Sequence, residues 1–531
     1  MLSVVISATC HIVMNKRFLN CLCFLFGALL LVLSVCFALL YERHSCAGVR
    51  ILSEREYARL SESLETDTYP FLLQNDLPVS IDSDTKTIYV SVDAKELSQP
   101  WHFSAVLSAD HPEYRLFFAP DTYFGDMETA VRESHSFDLL VVHDGQFVAF
   151  PVIFTTLPVL QLTTTYYSEE DYRNHGTLTL RDPYALQNNG YSIALTQAQW
   201  HLRGGSSKGT YKPPYKITLN KQDTNENRNL SLLQLGEDDD WILNSMVRDD
   251  VKLREMVISN LWNSLQDAEN STLKMSKGEY VEVIIDGSYS GLYMLQRRID
   301  NKYLGNEHST DVIVKGNYYN TPSSVDTAFR IQFNPNNISS EEILGFLTPY
   351  FNAMSQQNAI DQLPNIDIEN WIDVNAFISA FHLADNRRYK NMYYVLQQNS
   401  NQFTLKFIPW DVDMACGLSW DEPVGFIMDL DQMLKSKPYL RCEAYSLFSL
   451  DPTLKSRLAA RWQYLRNTTL SFDNIQNAIY SCHYKLVQSG ALLRDETKWG
   501  LHYDGKDSLD GLLSNLNLHL SRMDDCYQEF N

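Results

Sequence analysis

Basic residues are scarce in this chain. Its 531 residues carry 44 Lys and Arg against 65 Asp and Glu, a formal net charge of −21, with a pI near 5.0. A surface of that sign repels phosphate backbones, which argues against nucleic acid as a partner. The nine cysteines form no Cys-x-x-Cys pair and no zinc-ligand spacing, so they carry no metal site. Cys10, Cys21, Cys23 and Cys36 lie in or near one apolar segment. Cys46, Cys416, Cys442, Cys482 and Cys526 are scattered, and an odd set of five leaves at least one thiol free or paired between chains. Hydrophobic residues make up 44% and aromatics 12%, so the chain is globular and not disordered. Its length is too great for one core and points to two or three domains.

One long charge-free run is present. Cys21 to Leu40 has no charged residue and follows Lys16 and Arg17. It is long enough to cross a hydrocarbon layer of about 30 Å. A cleaved signal peptide has a shorter apolar core and a small-residue exit; Val35-Cys36-Phe37 offers none. The expectation is a cytoplasmic tail over 1–17 and a single-pass signal anchor over 18–41. Lys16 and Arg17 hold the short tail inside, against the weaker opposing bias of Glu42, Arg43 and Arg50. The rest of the chain then lies outside the cytoplasm. Residues 42–86 read as a stalk, and 87–156 as a β-rich region, with alternating strands at Ile88–Val92 and Leu139–Val142 and a turn at Asp144-Gly145.

From Leu157 onward the pattern acquires chemistry. Leu202 to Leu219 reads LRGGSSKGTYKPPYKITL. Its glycines and serines leave backbone N–H groups free to approach an anion. In the strand that follows, Tyr215, Ile217 and Leu219 share one face while Lys216 and Thr218 share the other. Either Lys216 or Lys212 is placed to hold phosphate, and spacing does not choose between them. Leu253, Met256, Val257, Leu261 and Leu265 form a helical core stripe, with Glu255 off it. Tyr280 to Leu295 is a hairpin about Asp286-Gly287.

The segment from Asp385 to Trp420 organises the rest. A helix with Val374, Phe377, Ile378 and Phe381 on one face precedes Asp385. Asn391 follows six residues later. Strands at Met392–Leu396 and Phe403–Ile408, joined by a polar turn, then deliver Asp411 and Asp413 after Pro409-Trp410. Protein kinases place a base Asp, a metal-binding Asn and a metal-binding Asp in that order.

Taken together, these stretches resemble the CotH spore-coat kinase family. The resemblance rests on Arg203 to Leu219, Leu235 to Arg254, Tyr280 to Tyr293, Asp385 to Tyr393, Pro409 to Asp413, Arg461-Trp462, and Arg494-Asp495 with Trp499. It covers about Leu157 to Leu501. It departs at Gln296, where an acidic residue would be expected, and in the Asp385–Asn391 spacing, one residue longer than in ordinary protein kinases. The resemblance implies an α+β fold with a two-lobed, atypical protein-kinase-like domain over 157–531. It also implies transfer of the γ-phosphate of ATP to a protein Ser or Thr, with magnesium or manganese. Asp385 would be the base, and Asp411, Asn391 and Asp413 the metal ligands. Lys216 or Lys212, with Arg203 and Ser206, would contact phosphate. A binding or scaffold protein of the cell envelope on the same fold is the alternative.

The topology is open to a direct test. Protease added to intact cells is expected to digest the chain beyond Arg50. Full protection of the carboxy-terminal region would exclude the orientation, and a mature form lacking roughly the first 45 residues would exclude an uncleaved anchor.

Overall fold

The structure is a computed structural model. It describes residues 49–62, 64–65, 80–97, 115–184, 192–205, 207–222, 224, 226–316, 329–356, 365–383, 385–386, 390–399, 402–419, 426–427, 452–503 and 505–528. The anchor expected over 18–41, the tail before it and Ser206 lie outside the described residues. Among the described residues no helix is long and apolar enough to cross a membrane.

The chain divides into two compact units. The first takes residues 1–79, 100–121 and 137–150. In it, Arg115–Phe118 pairs antiparallel with Leu139–Val142, and Arg50–Ile51 lies parallel to Phe117–Phe118. The short helix Glu54–Ser61 starts at a capping box, in which Ser53 and Glu56 satisfy each other's backbone N–H. Leu52, Leu140, Val142 and Phe147 form its small core. The stretch read as a stalk therefore holds a helix and strand segments.

The second unit takes residues 80–99, 122–136 and 151–531. Its centre is a closed seven-stranded barrel. The strands are β1 (Val159–Ser168), β2 (Arg173–Asp182), β3 (Ser192–Leu202), β4 (Tyr215–Asn220), β5 (Asp240–Asn244), β6 (Gly278–Ile285) and β7 (Ser288–Arg297). They close in the order β3-β4-β5-β7-β6-β1-β2. Only the β6–β1 pair is parallel. Alternation at period two fills the interior. Leu160 and Leu162, Leu178 and Leu180, Ile217 and Leu219, Trp241 and Leu243, Val281 and Val283, and Tyr293 and Leu295 form one cluster. Asp286 and Gly287 both take positive φ, as the tight β6–β7 turn requires.

Four antiparallel strands form a second sheet: β8 (Val312–Gly316), β9 (Phe329–Phe333), β10 (Met392–Asn399) and β11 (Gln402–Pro409), ordered β9-β8-β10-β11. The β10–β11 hairpin is longer than its apolar pattern indicates, because the polar residues Gln397, Gln398, Asn399 and Gln402 of the expected turn also pair across it. The longer helices of the unit are α1 (Arg254–Ala268), α2 (Ser340–Gln356), α3 (Ile368–Phe381), α4 (Pro452–Arg466), α5 (Phe472–Gln488), α6 (Ala491–Trp499) and α7 (Leu509–Gln528). The outward side chains Ile242, Tyr280 and Met294 of the barrel share one core with Trp262 of α1, Phe377 of α3 and Tyr394 of β10. That shared core fixes the barrel against the second sheet. The fold is thus mixed α+β.

Candidate active site

A cleft of about 590 Å³ lies where the outer face of the barrel meets the second sheet. One wall carries His201 and Arg203 at the end of β3, Lys216 of β4, and Asp240, Ile242 and Asn244 of β5. The other carries Lys315 of β8, Arg330 of β9 and Tyr393 of β10, with Asp385, Lys390, Asn391, Asp411 and Asp413. The pleat explains the first wall. Ile217 and Leu219 enter the barrel, so Lys216 faces outward, in register with His201 and Ile242.

The lining is cationic although the chain is strongly acidic: eight Lys or Arg side chains line the cleft against four Asp. His201 registers the resulting potential. Its imidazole is pushed below its usual value by burial and then by Arg173, Lys216 and Arg330. Gly204 takes positive φ, and the Arg203 backbone N–H donates to the Pro214 carbonyl at 3.0 Å, which closes the glycine-rich turn at the rim.

Asp385 stands just beyond α3, which ends on His382 in the left-handed conformation. Its carboxylate accepts from Lys390 Nζ at 2.7 and 3.0 Å and from Asn391 Nδ2 at 2.9 Å. Asn386 ties the two acidic segments together: its Nδ2 donates to the Asn391 carbonyl at 2.8 Å and to the Trp410 carbonyl at 2.7 Å. The Trp410 N–H in turn donates to the Asn391 carbonyl at 3.0 Å. Asn391 and Asp411 both adopt positive φ, which turns the chain sharply at each.

Two adjacent residues of α1 hold the segment after Asp411. Glu255 Oε2 accepts from the Val412 N–H at 2.7 Å. Arg254 Nε donates to the Ala415 carbonyl at 2.9 Å, while its guanidinium pairs with Asp249 and with Asp507. Burial, and then the Asp411 carboxylate, push Glu255 up to about 8. It is therefore largely protonated at neutral pH and serves as a neutral acceptor.

The two candidate lysines part company. Lys216 lines the cleft and pairs with Asp240 at 3.0 Å. Burial favours the neutral Asp240 carboxyl, but Lys216 and Arg298 hold it below its usual range. Lys212 is buried elsewhere, donating to Asp495 at 2.6 Å and to the Leu292 carbonyl at 2.5 Å. That geometry makes it a buried ion pair between the barrel and α6. Arg203 reaches the cleft with its guanidinium 5.9 Å from the Trp410 ring centre.

The donor set can be tested against a divalent cation. Among the described residues no three His, Cys, Asp or Glu side chains form a metal-holding group. Asp411 and Asp413 nevertheless line the cleft with Asn391. Burial, and then the carboxylates of Asp411, Glu255 and Asp385, raise Asp413 well above the carboxylate range. A cation would relieve that crowding. Magnesium is typically held by one or two carboxylates together with phosphate oxygens, and this set fits.

Sequence comparison agrees with the geometry. The family model described as CotH kinase protein matches residues 201–522. The chain belongs to the CotH kinase family. No curated protein matches it. The CotH match runs from His201 to Arg522, within α7, and includes the residues named on both walls of the cleft. Two site residues escape a sequence reading. Glu255 is one glutamate on a helix rich in core positions, and Lys315 sits in the strand Val-Ile-Val-Lys-Gly with no motif about it. The adjacent charges Arg254 and Glu255, set between Leu253 and Met256 of a core stripe, were the one available signal.

The clamp on Val412 generates a prediction. Glu255→Gln retains an acceptor for the Val412 N–H and should melt close to the parent protein. Glu255→Ala leaves that buried N–H unpaired, a loss of about 1–3 kcal/mol, and should lower the melting temperature. Equal melting of the two variants would show that the contact contributes nothing.

Proposed function

We propose that this CotH-family chain is a membrane-anchored kinase. It transfers the γ-phosphate of ATP to a Ser or Thr hydroxyl of a protein outside the cytoplasm. One observation carries the reading: Lys216 and the distant segment that bears Asp385, Asn391 and Asp411 line a single cleft rich in cations. In this reading the barrel and the second sheet with its helices act as the two lobes of a kinase-like domain. The run Cys21–Leu40 after Lys16 and Arg17 supports the anchor and its orientation.

The residues divide the work. Lys216 and Arg203 draw the triphosphate into the cleft and neutralise its charge. Asp411 and Asp413, with the Asn391 amide oxygen, would hold magnesium or manganese, which supplies charge neutralisation across the β- and γ-phosphates. Asn391 Nδ2 and Lys390 fix the orientation of the Asp385 carboxylate. The acceptor oxygen bonds to the γ-phosphorus as the bond to the β,γ-bridging oxygen breaks. The electron pair leaves with ADP, and the hydroxyl proton passes to Asp385. Positioning and charge neutralisation provide most of the acceleration in such a transfer.

Paired substitutions separate the two acids. Asp411→Asn is expected to lose magnesium-dependent ATP binding. Asp385→Asn is expected to keep binding and to lose about 10²–10⁴-fold in transfer, the usual scale of general-base catalysis. Both variants are compared after confirming that they melt like the parent. Near-normal transfer by Asp385→Asn would refute the assignment of the base.

A further inference from the structure

The geometry points to Lys315, on the wall facing Lys216, as the lysine that holds the polyphosphate of the nucleotide. This inference rests on the phosphoryl-transfer reading above and deepens it. Lys216 already has a carboxylate partner, Asp240, at 3.0 Å, and Arg298 shares that carboxylate at 3.1 Å. Lys390 is likewise committed to Asp385 at 2.7 Å. Lys315 lines the same cleft without a carboxylate in direct ion-pair contact among the described residues; burial and then Arg203 pull its ammonium down to about 8, while Asp411 favours its charge. Its ammonium lies 5.0 Å from the ring centre of Trp410 and 5.9 Å from that of Tyr393. Those aromatic faces steady a cation without neutralising it.

Its position is fixed from two sides. Lys315 is paired in register with Tyr393, on the strand that follows Asn391. The next residue, Gly316, accepts from the Asn391 N–H at 3.2 Å. Its charge is therefore delivered beside the Asp385–Asn391 loop. The Arg203 guanidinium also approaches the Trp410 ring, at 5.9 Å, so two cations meet over one indole next to Asp411. Two like charges brought together beside Asp411, in a cleft lined by more cations than carboxylates, fit a polyanion. With a cation held at Asp411, Lys315 would supply positive charge to a triphosphate bound there. Lys216 then acts from the opposite wall as a partly neutralised, secondary contact.

The test measures equilibrium binding of magnesium–ATP, inorganic tripolyphosphate and adenosine to the full-length protein. Lys315→Met is expected to weaken ATP and tripolyphosphate by about tenfold to a hundredfold, the worth of one charge-assisted phosphate contact. Adenosine, which has no phosphate, should bind as in the parent. Lys315→Arg should restore most of the affinity, and Lys216→Met should cost less than Lys315→Met. Should Lys315→Met fail to fold, Lys315→Gln against Lys315→Arg gives the same contrast. Unchanged ATP binding in the neutral variant, or a larger loss in Lys216→Met, would overturn the inference. Failure of the parent protein to bind either phosphate ligand would instead remove the kinase reading on which it rests.

Discussion

The buried contacts of Arg254 and Glu255 with the segment after Asp411 are what the rest of the site depends on. Glu255 holds Val412 and Arg254 holds Ala415, so the chain from Asp411 to Ala415 is fixed at both ends by neighbouring residues of one helix. Arg254 is buried and paired with two carboxylates, Asp249 and Asp507. Such a cation tolerates burial only while its partners remain; stripping one from a buried pair costs about 3–5 kcal/mol. Asp507 lies in the carboxy-terminal part of the chain, so that region also helps to set where Asp411 points. The acidic segment is thereby held by the core and not by a mobile loop.

The second constraint is the strand register of the barrel. Packing Ile217, Leu219, Trp241 and Leu243 inward obliges Lys216, Asp240 and Ile242 to face out, and that outward face becomes one wall of the cleft. A one-residue slip would bury Lys216 in an apolar interior and empty the wall of charge. The same logic sets the other wall, where the pairing of Lys315 with Tyr393 brings a cation beside the Asn391 turn. Concentrating eight cations in one cleft of a chain with net charge −21 raises the local affinity for anions while the remaining surface repels them.

Much of this was legible in the sequence. Period-two alternation marked β4 and the β6–β7 hairpin, and the 3.6-residue stripe marked α1 and α3. The order of helix, Asp385, Asn391, hairpin and Asp411 singled out acidic residues that the fold brings to one cleft. The closed barrel was not legible, because closure depends on the parallel β1–β6 pairing between distant segments. Nor could local spacing separate Lys212 from Lys216. The partner that buries Lys212 is Asp495, almost three hundred residues away, and nothing near either residue announces the pair. Lys315 and Glu255 stayed hidden for the same reason: the groups that give them meaning come from other elements of the fold.

The most direct test of the account follows the fate of labelled ATP. Full-length protein is incubated with magnesium and ATP carrying either a γ- or an α-phosphate label, and protein-bound label is measured. The account predicts transfer of the γ-label to protein Ser or Thr, with none from the α-position. Transfer of the α-label would mean nucleotidyl transfer at this site, and absence of both would contradict the kinase assignment.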